Sequence, residues 1–137
     1  MRLWSIVVLV LALCAPATSS FAAQGQAKGK GTSVPKYDAA AEMKFKGVVE
    51  EVKDRECPIS GGMGSHFTIK VDGTLMEVHI APTKFVKSYE VAFQKGDTVE
   101  ITGTKVVFEG ADAILAREIK RGNDDFVFRD PQGKPIW

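Results

Sequence analysis

The chain lacks most of the features that announce a function. It has no charge excess: 18 Lys and Arg stand against 17 Asp and Glu, a formal net charge of +1. A dedicated nucleic-acid binder normally carries a clear basic surplus, so nucleic acid is an unlikely partner. Cysteine and histidine are scarce, at two each, and no Cys-x-x-Cys pair occurs. The glycine-rich stretch Gly61-Gly62-Met63-Gly64 lacks the Lys and Ser/Thr of a phosphate-binding loop and leads into a strand pattern, which argues against a nucleotide site. Its expected role is a flexible connection whose glycines permit positive φ. There is no internal repeat. Cys57 and His66 offer a nucleophile and a base, but no orienting group accompanies them, so no enzyme activity is expected. What remains is 137 residues with 45% apolar and 26% charged side chains. That is one globular domain, neither disordered throughout nor a multi-span membrane protein.

The first segment reads as an address. Arg2 precedes an apolar run from Leu3 to Leu13 broken by Ser5, then Pro16, Thr18, Ser19 and Ser20. The run is too short to span a bilayer comfortably. Small residues at Ser20 and Ala22 suit a signal peptidase, so residues 1–22 are expected to be a signal peptide cut after Ala22. Cys14 follows Leu13 rather than the small residue a lipoprotein signal wants, which favours a soluble periplasmic or secreted product with no membrane span. Cleavage removes Arg2 and Cys14, balancing the charges and leaving Cys57 alone. A lone cysteine in an oxidising compartment must be buried, bound to something, or paired with another chain.

Residues 23–42 form a Gly/Gln/Lys-rich lead-in, expected to be flexible, and the folded domain is expected over residues 43–137. Strand patterns cover Met43 to Lys53, His66 to Val71, Thr74 to Ile80, Thr98 to Phe108, Ala113 to Lys120 and Phe126 to Arg129. Gly47 inside the first suggests a bulge or bend. Asp72-Gly73 is a strong hairpin signal. Pro82, followed by Phe85, Val86, Tyr89 and Phe93 at helical spacing, predicts a short helix within Ala81 to Phe93. Three strands, a helix, then two or three strands is the order of an OB-fold. The expected class is therefore all-β with one short helix, a five- or six-stranded antiparallel Greek-key barrel. Phe45, Phe67, Ile69, Met76, Val78, Ile80, Val99 and Ile101 should line its core, with Leu75 outside. Arg117 and Glu118 read as an ion pair closing the barrel, and Trp137 as a lid over an apolar end.

The histidines give the sharpest inference. A two-residue Asp72-Gly73 loop sets Val71 opposite Thr74 and His66 opposite His79, on the face shared with Thr68 and Glu77. Directly opposed residues bring their Cβ atoms to about 4.5–5.5 Å, so both histidines meet on what should be the outer surface of one hairpin. Cys57 and Met63 lie in the loop feeding it. Soft sulfur with imidazole suits copper, and Cys with His suits zinc. Cys57, Met63, His66 and His79 are thus candidate metal ligands. The alternative is a solvated histidine pair with Cys57 and Met63 as apolar plugs.

Two stretches carry a family resemblance. One is Ala116-Arg117-Glu118-Ile119, Gly122, Phe126-Val127-Phe128-Arg129-Asp130, Gly133, Pro135 and Trp137. The other is the segment from Glu56 to His66. Over roughly Met43 to Trp137 the chain resembles small exported OB-like proteins related to the domain shared by the magnetosome proteins MamS and MamX. The resemblance implies redox or iron handling around biomineral membranes. MamX-type proteins also carry Cys-x-x-Cys-His haem sites, which this chain lacks. The resulting expectation is an exported, non-enzymatic OB-like module that binds a protein or small ligand. The alternative is a periplasmic copper or zinc protein.

Overall fold

The computed structural model describes residues 33–137. The proposed signal peptide and residues 23–32 of the lead-in lie outside the described residues. Six strands and one helix follow: β1 (Met43–Cys57), β2 (Gly62–Val71), β3 (Thr74–Pro82), α1 (Thr83–Ser88), β4 (Thr98–Phe108), β5 (Ala111–Arg121) and β6 (Asp124–Val127). β1 pairs antiparallel with β2 through its second part and with β4 through its first. β2 pairs with β3 and β4 with β5, both antiparallel, while β3 meets β5 in parallel. The circuit β1-β2-β3-β5-β4-β1 is closed. With the helix between β3 and β4, this is the OB-type barrel expected. β6 extends the β5 edge beyond the point where β3 leaves it. No helix of the described residues is long and apolar enough to cross a membrane.

The turns follow from residues that tolerate left-handed backbone. Asp72 and Gly73 have φ of 47° and 82°, and Glu109 and Gly110 have 52° and 78°. Both pairs are the primed turns that match strand twist. The β2–β3 register is the one the two-residue loop dictates, with His66 opposite His79 and Phe67 opposite Val78. All eight expected core residues are buried, and Phe67, Ile69, Val78 and Ile101 are fully so. Leu75 is exposed. Ile114, Ile119 and Phe128 complete the core from the second half of the chain.

Two expectations change. Gly47 pairs regularly with Val99, and the irregularity in β1 falls between Val49 and Glu51. What Gly47 supplies is space: a Cβ there would lie 3.0 Å from the Lys70 carbonyl oxygen and 3.3 Å from Ile69 Cβ. The expected short helix is present as α1, bounded by β3, which runs through Pro82, and by Glu90, which turns the chain at φ 56°. Six helical residues cannot hold themselves, so α1 depends on the burial of Val86. Arg117 reaches Glu118 at 3.5 Å, but its main partner is Glu42, bound through two nitrogens at 2.7 and 2.9 Å.

Tyr37 and Glu42, read from sequence as lead-in, both contact the barrel. The Tyr37 hydroxyl donates to Glu42 at 2.6 Å. The Arg129 guanidinium lies between the rings of Tyr37 and Trp137, at 5.3 and 5.1 Å. Trp137 also packs 6.1 Å from Phe85. Gly133, at φ 84°, passes beneath the Tyr37 ring where a Cβ would clash. Asp130 caps the turn from the backbone N–H groups of Gln132 and Lys134. The distinctive residues near Trp137 thus form a structural clasp.

Phe67→Ala should lower stability by about 3–5 kcal/mol, as expected for a buried aromatic. Leu75→Ala should stay within about 0.5 kcal/mol. Urea unfolding of both variants checks the register, and comparable losses from the two would contradict it.

Candidate metal centre

Cys57 ends β1, and His66 and His79 face each other across β2 and β3. Their ligand atoms, one per residue, all lie within 4.8 Å of one another. Cys57 Sγ is 3.4 Å from His79 Nδ1. The two imidazoles meet edge to face with centroids 4.6 Å apart. The predicted pairing is therefore present, and Cys57 joins it.

The expected exposure is not. His66 is 0% and His79 3% exposed, and Cys57 is equally buried. The pair sits on the outer face of the barrel sheet, as alternation demands, but that face is covered. The β4–β5 hairpin brings Phe108 and Ala113 over it, and these join Cys57 in a second small core flanked by Ile59 and Val106. The Phe108 ring lies 5.3 Å from the His79 ring. Closure of the barrel through β3 and β5 puts this hairpin there, and no local pattern in β2 or β3 foretells it.

Met63 does not join the cluster. It pairs with Glu56 in β2, one position out of phase with Cys57, so alternation turns it the other way. It is half exposed. The segment expected to be a slack loop from Cys57 to Ser65 is a tight hairpin instead, since β2 starts at Gly62 and Ser60 N–H donates to the Cys57 carbonyl at 3.1 Å. Positive φ is confined to Gly61 and Gly62. Gly64 has a different role: a Cβ there would lie 3.0 Å from Ser60 Cβ and 3.1 Å from His66 Cε1. Only glycine leaves room for the hairpin to fold against the His66 ring.

The surroundings set protonation and orientation. Burial lowers the pKa of both histidines, His79 to about 4, with repulsion from His66 adding to the effect there and Glu77 opposing it. Both rings are therefore neutral at neutral pH, the form a metal needs. His79 Nε2 lies 3.4 Å from Glu77 Oε1, leaving Nδ1 to face Cys57. Burial raises the Glu77 pKa, but hydrogen bonds from Arg55 and Lys53 outweigh it and hold the carboxylate ionised. Lys53 Nζ is 3.1 Å from Glu77. Arg55 binds both Glu77 and Glu109, the latter at 3.3 Å. A carboxylate on one imidazole nitrogen, with a ligand position at the other, is the usual support for a metal-binding histidine. Sequence reading placed Glu77 on the histidine face but gave it no role, because its reach to His79 follows from alternation along β3 and not from any motif.

His66 contrasts with its partner. Neither ring nitrogen makes a well-formed hydrogen bond, although both are buried and the Gly64 backbone lies beside the ring. An unsatisfied buried polar group costs roughly 1–3 kcal/mol. That cost falls on a ring beside a thiol and a second neutral imidazole, the three donor groups of the cluster.

The metal-free protein should gain stability as pH rises from about 4 to 6.5. In the unfolded chain both histidines protonate near 6.5, while the folded chain holds His79 neutral down to about 4. The unfolded state thus binds more protons across that window and is favoured as pH falls. Urea midpoints at several pH values test this. In His79→Gln the slope over that interval should be shallower, and an unchanged slope would mean that the ring is hydrated.

Comparison with known proteins adds three facts. No curated protein matches the sequence. Among solved structures, a chain of the S. pombe Stn1–Ten1 complex aligns with TM-score 0.47 and 13% identity, covering 61% of this chain and 59% of that one. The S. cerevisiae mitochondrial single-stranded DNA binding protein Rim1 aligns with TM-score 0.45 and 8% identity, over 64% of this chain and 96% of its own. At such scores the OB assignment rests on the strand circuit itself. A family model, by contrast, matches residues 41–126. That range contains all three members of the buried trio and stops before the Arg129–Trp137 clasp. It covers well over half of the sequence, and the chain belongs to the MamS/MamX magnetosome protein family.

Proposed function

We propose that this chain is an exported metal-binding protein that holds copper through Cys57, His66 and His79. The observation that carries the reading is the buried trio itself, with one sulfur and two neutral imidazoles in mutual reach and His66 lacking a well-formed hydrogen bond. A thiolate with two imidazoles suits copper, whose cuprous ion accepts three-coordinate soft and borderline ligands. Structural zinc prefers four ligands, and among the described residues this group contains three. Glu77 would fix the His79 tautomer. The Cys57 thiol would lose its proton on binding, so affinity should weaken in acid.

A binding role fits better than catalysis. The cavity beside His79 is about 120 Å³, well below the roughly 300–1,000 Å³ of a small-molecule site. It has room for an ion and a few waters, and is small for an organic substrate. The apolar run after Arg2 supports export, and cell fractionation of the full chain tests it. The balanced charge of the cleaved chain gives no support to nucleic acid as partner.

Copper content of protein from the exported fraction, followed by competition with a Cu(I) chelator, tests the ligand set. Glu77→Gln should weaken binding about 10–100-fold. Cys57→Ser, His66→Gln and His79→Gln should each weaken it more, while Met63→Leu should bind like the parent. Unchanged copper affinity in the two histidine variants would overturn the reading. Preferential zinc uptake lost in the same variants would keep the site and change the metal.

A further inference from the structure

The trio is closed to solvent, so an ion must reach it through an opening. Hydrogen-bonded strands enclose it on the β1, β2 and β3 sides. The cavity of about 120 Å³ is lined by Arg55, Glu77, His79, Phe108, Glu109 and Asp112, among others. Of the trio, His79 is the member on its wall. The His79 ring bridges the two spaces, with Nε2 toward Glu77 and Nδ1 toward Cys57.

We propose that this cavity is the port by which metal enters and leaves the buried site, and that Arg55 is its gate. The inference rests on the metal-binding reading above. Three carboxylates, Glu77, Glu109 and Asp112, line the mouth, with Asp112 paired to Lys105 at 3.1 Å, and they offer oxygen atoms to an approaching cation. Arg55 stands among them, binding Glu77 on β3 and Glu109 in the β4–β5 turn. It narrows the mouth by joining its two walls and repels a cation by its charge. The outer tie is the weaker one. Glu109 is half exposed, and an ion pair between exposed groups typically contributes at most about 1 kcal/mol. Its opening therefore leaves both cores undisturbed. The inner carboxylate stays in place when Arg55 swings away, because Lys53 also binds Glu77.

A gate changes rates in both directions more than it changes affinity, whereas a ligand changes affinity. Cu(I) delivered from its bicinchoninate complex reports loading by loss of colour, and excess bicinchoninate reports release. The equilibrium partition of the same samples gives the affinity. Arg55→Gln should quicken loading and release by about tenfold, the low end of electrostatic effects on association, with release gaining more because the change also removes one of the bonds that hold Glu77 against His79. Added salt should slow its loading, because the uncovered mouth is acidic. Arg55→Lys, which keeps the charge with a shorter reach, should fall between. Glu109→Asn suits the left-handed turn, is too short to hold Arg55, and should quicken release even if Arg55→Gln fails to fold. If copper loads normally and the rates of Arg55→Gln and Glu109→Asn match the parent, the port lies elsewhere and the metal site stands. If the parent takes up no copper, the metal reading itself fails.

Discussion

Everything around the candidate site depends on the parallel contact between β3 and β5. Glu77, Val78 and His79 pair with Ala113, Ile114 and Leu115. On the inner face this contact shuts the barrel, placing Val78 and Ile114 in one core. On the outer face it carries the far end of the β4–β5 hairpin across the histidines. One short ladder thus creates two interiors: a large apolar one inside the barrel, and a small one built on Cys57, Phe108 and Ala113. Parallel contacts between distant segments carry a loop-closure cost that local hairpins avoid. The Asp72-Gly73 turn lowers the rest of that cost by fixing the β2–β3 register locally.

The small interior holds groups that an ordinary core rejects. Two imidazoles and a thiol sit where solvent is excluded, and burial holds the rings neutral. His79 is satisfied through Glu77 and Cys57, while His66 makes no well-formed hydrogen bond. The charged row beside them, Lys53, Arg55 and Glu77, belongs to the same face and supplies the fixed dipoles and charges. The pairing of a polar, partly unsatisfied pocket with a separate, well-packed barrel divides the labour. Stability rests with Phe67, Ile69, Ile101 and their neighbours, so the outer pocket can retain groups that weaken folding.

Much of the fold was legible because its signals are local. The alternation of Phe67, Ile69 and Val71 against His66, Thr68 and Lys70, together with one Asp-Gly turn, fixes the register, the core face and the meeting of the two histidines. The order of strands and helix then points to the barrel. What was not legible is tertiary. Outward on a strand was read as exposed, yet the outer face of β2 and β3 lies under a hairpin some thirty residues further along the chain. Met63 appeared as a ligand because the glycine segment looked slack. Pairing of Cys57 with Gly62 makes it a hairpin, and the phase of that pairing turns Met63 away. Arg117 was given the neighbour it has in sequence, whereas the partner it binds through two nitrogens, Glu42, lies across the barrel.

The location of Cys57 ties these strands of argument together. It ends β1 where that strand has outrun its pairing with β4 and is held by β2 alone. Its thiol reaches across β2 to His79 on β3. An ion shared by Cys57, His66 and His79 would therefore fasten three consecutive strands at one point, outside the barrel's own hydrogen-bonded circuit. Binding of that kind adds stability in proportion to the logarithm of ligand concentration over dissociation constant. It would also satisfy the one ring the apo fold leaves without a well-formed hydrogen bond. The same atoms would thus impose a cost on the empty protein and lose it on loading, and a buried, preformed pocket of this kind would favour its occupied state without any rearrangement of the barrel.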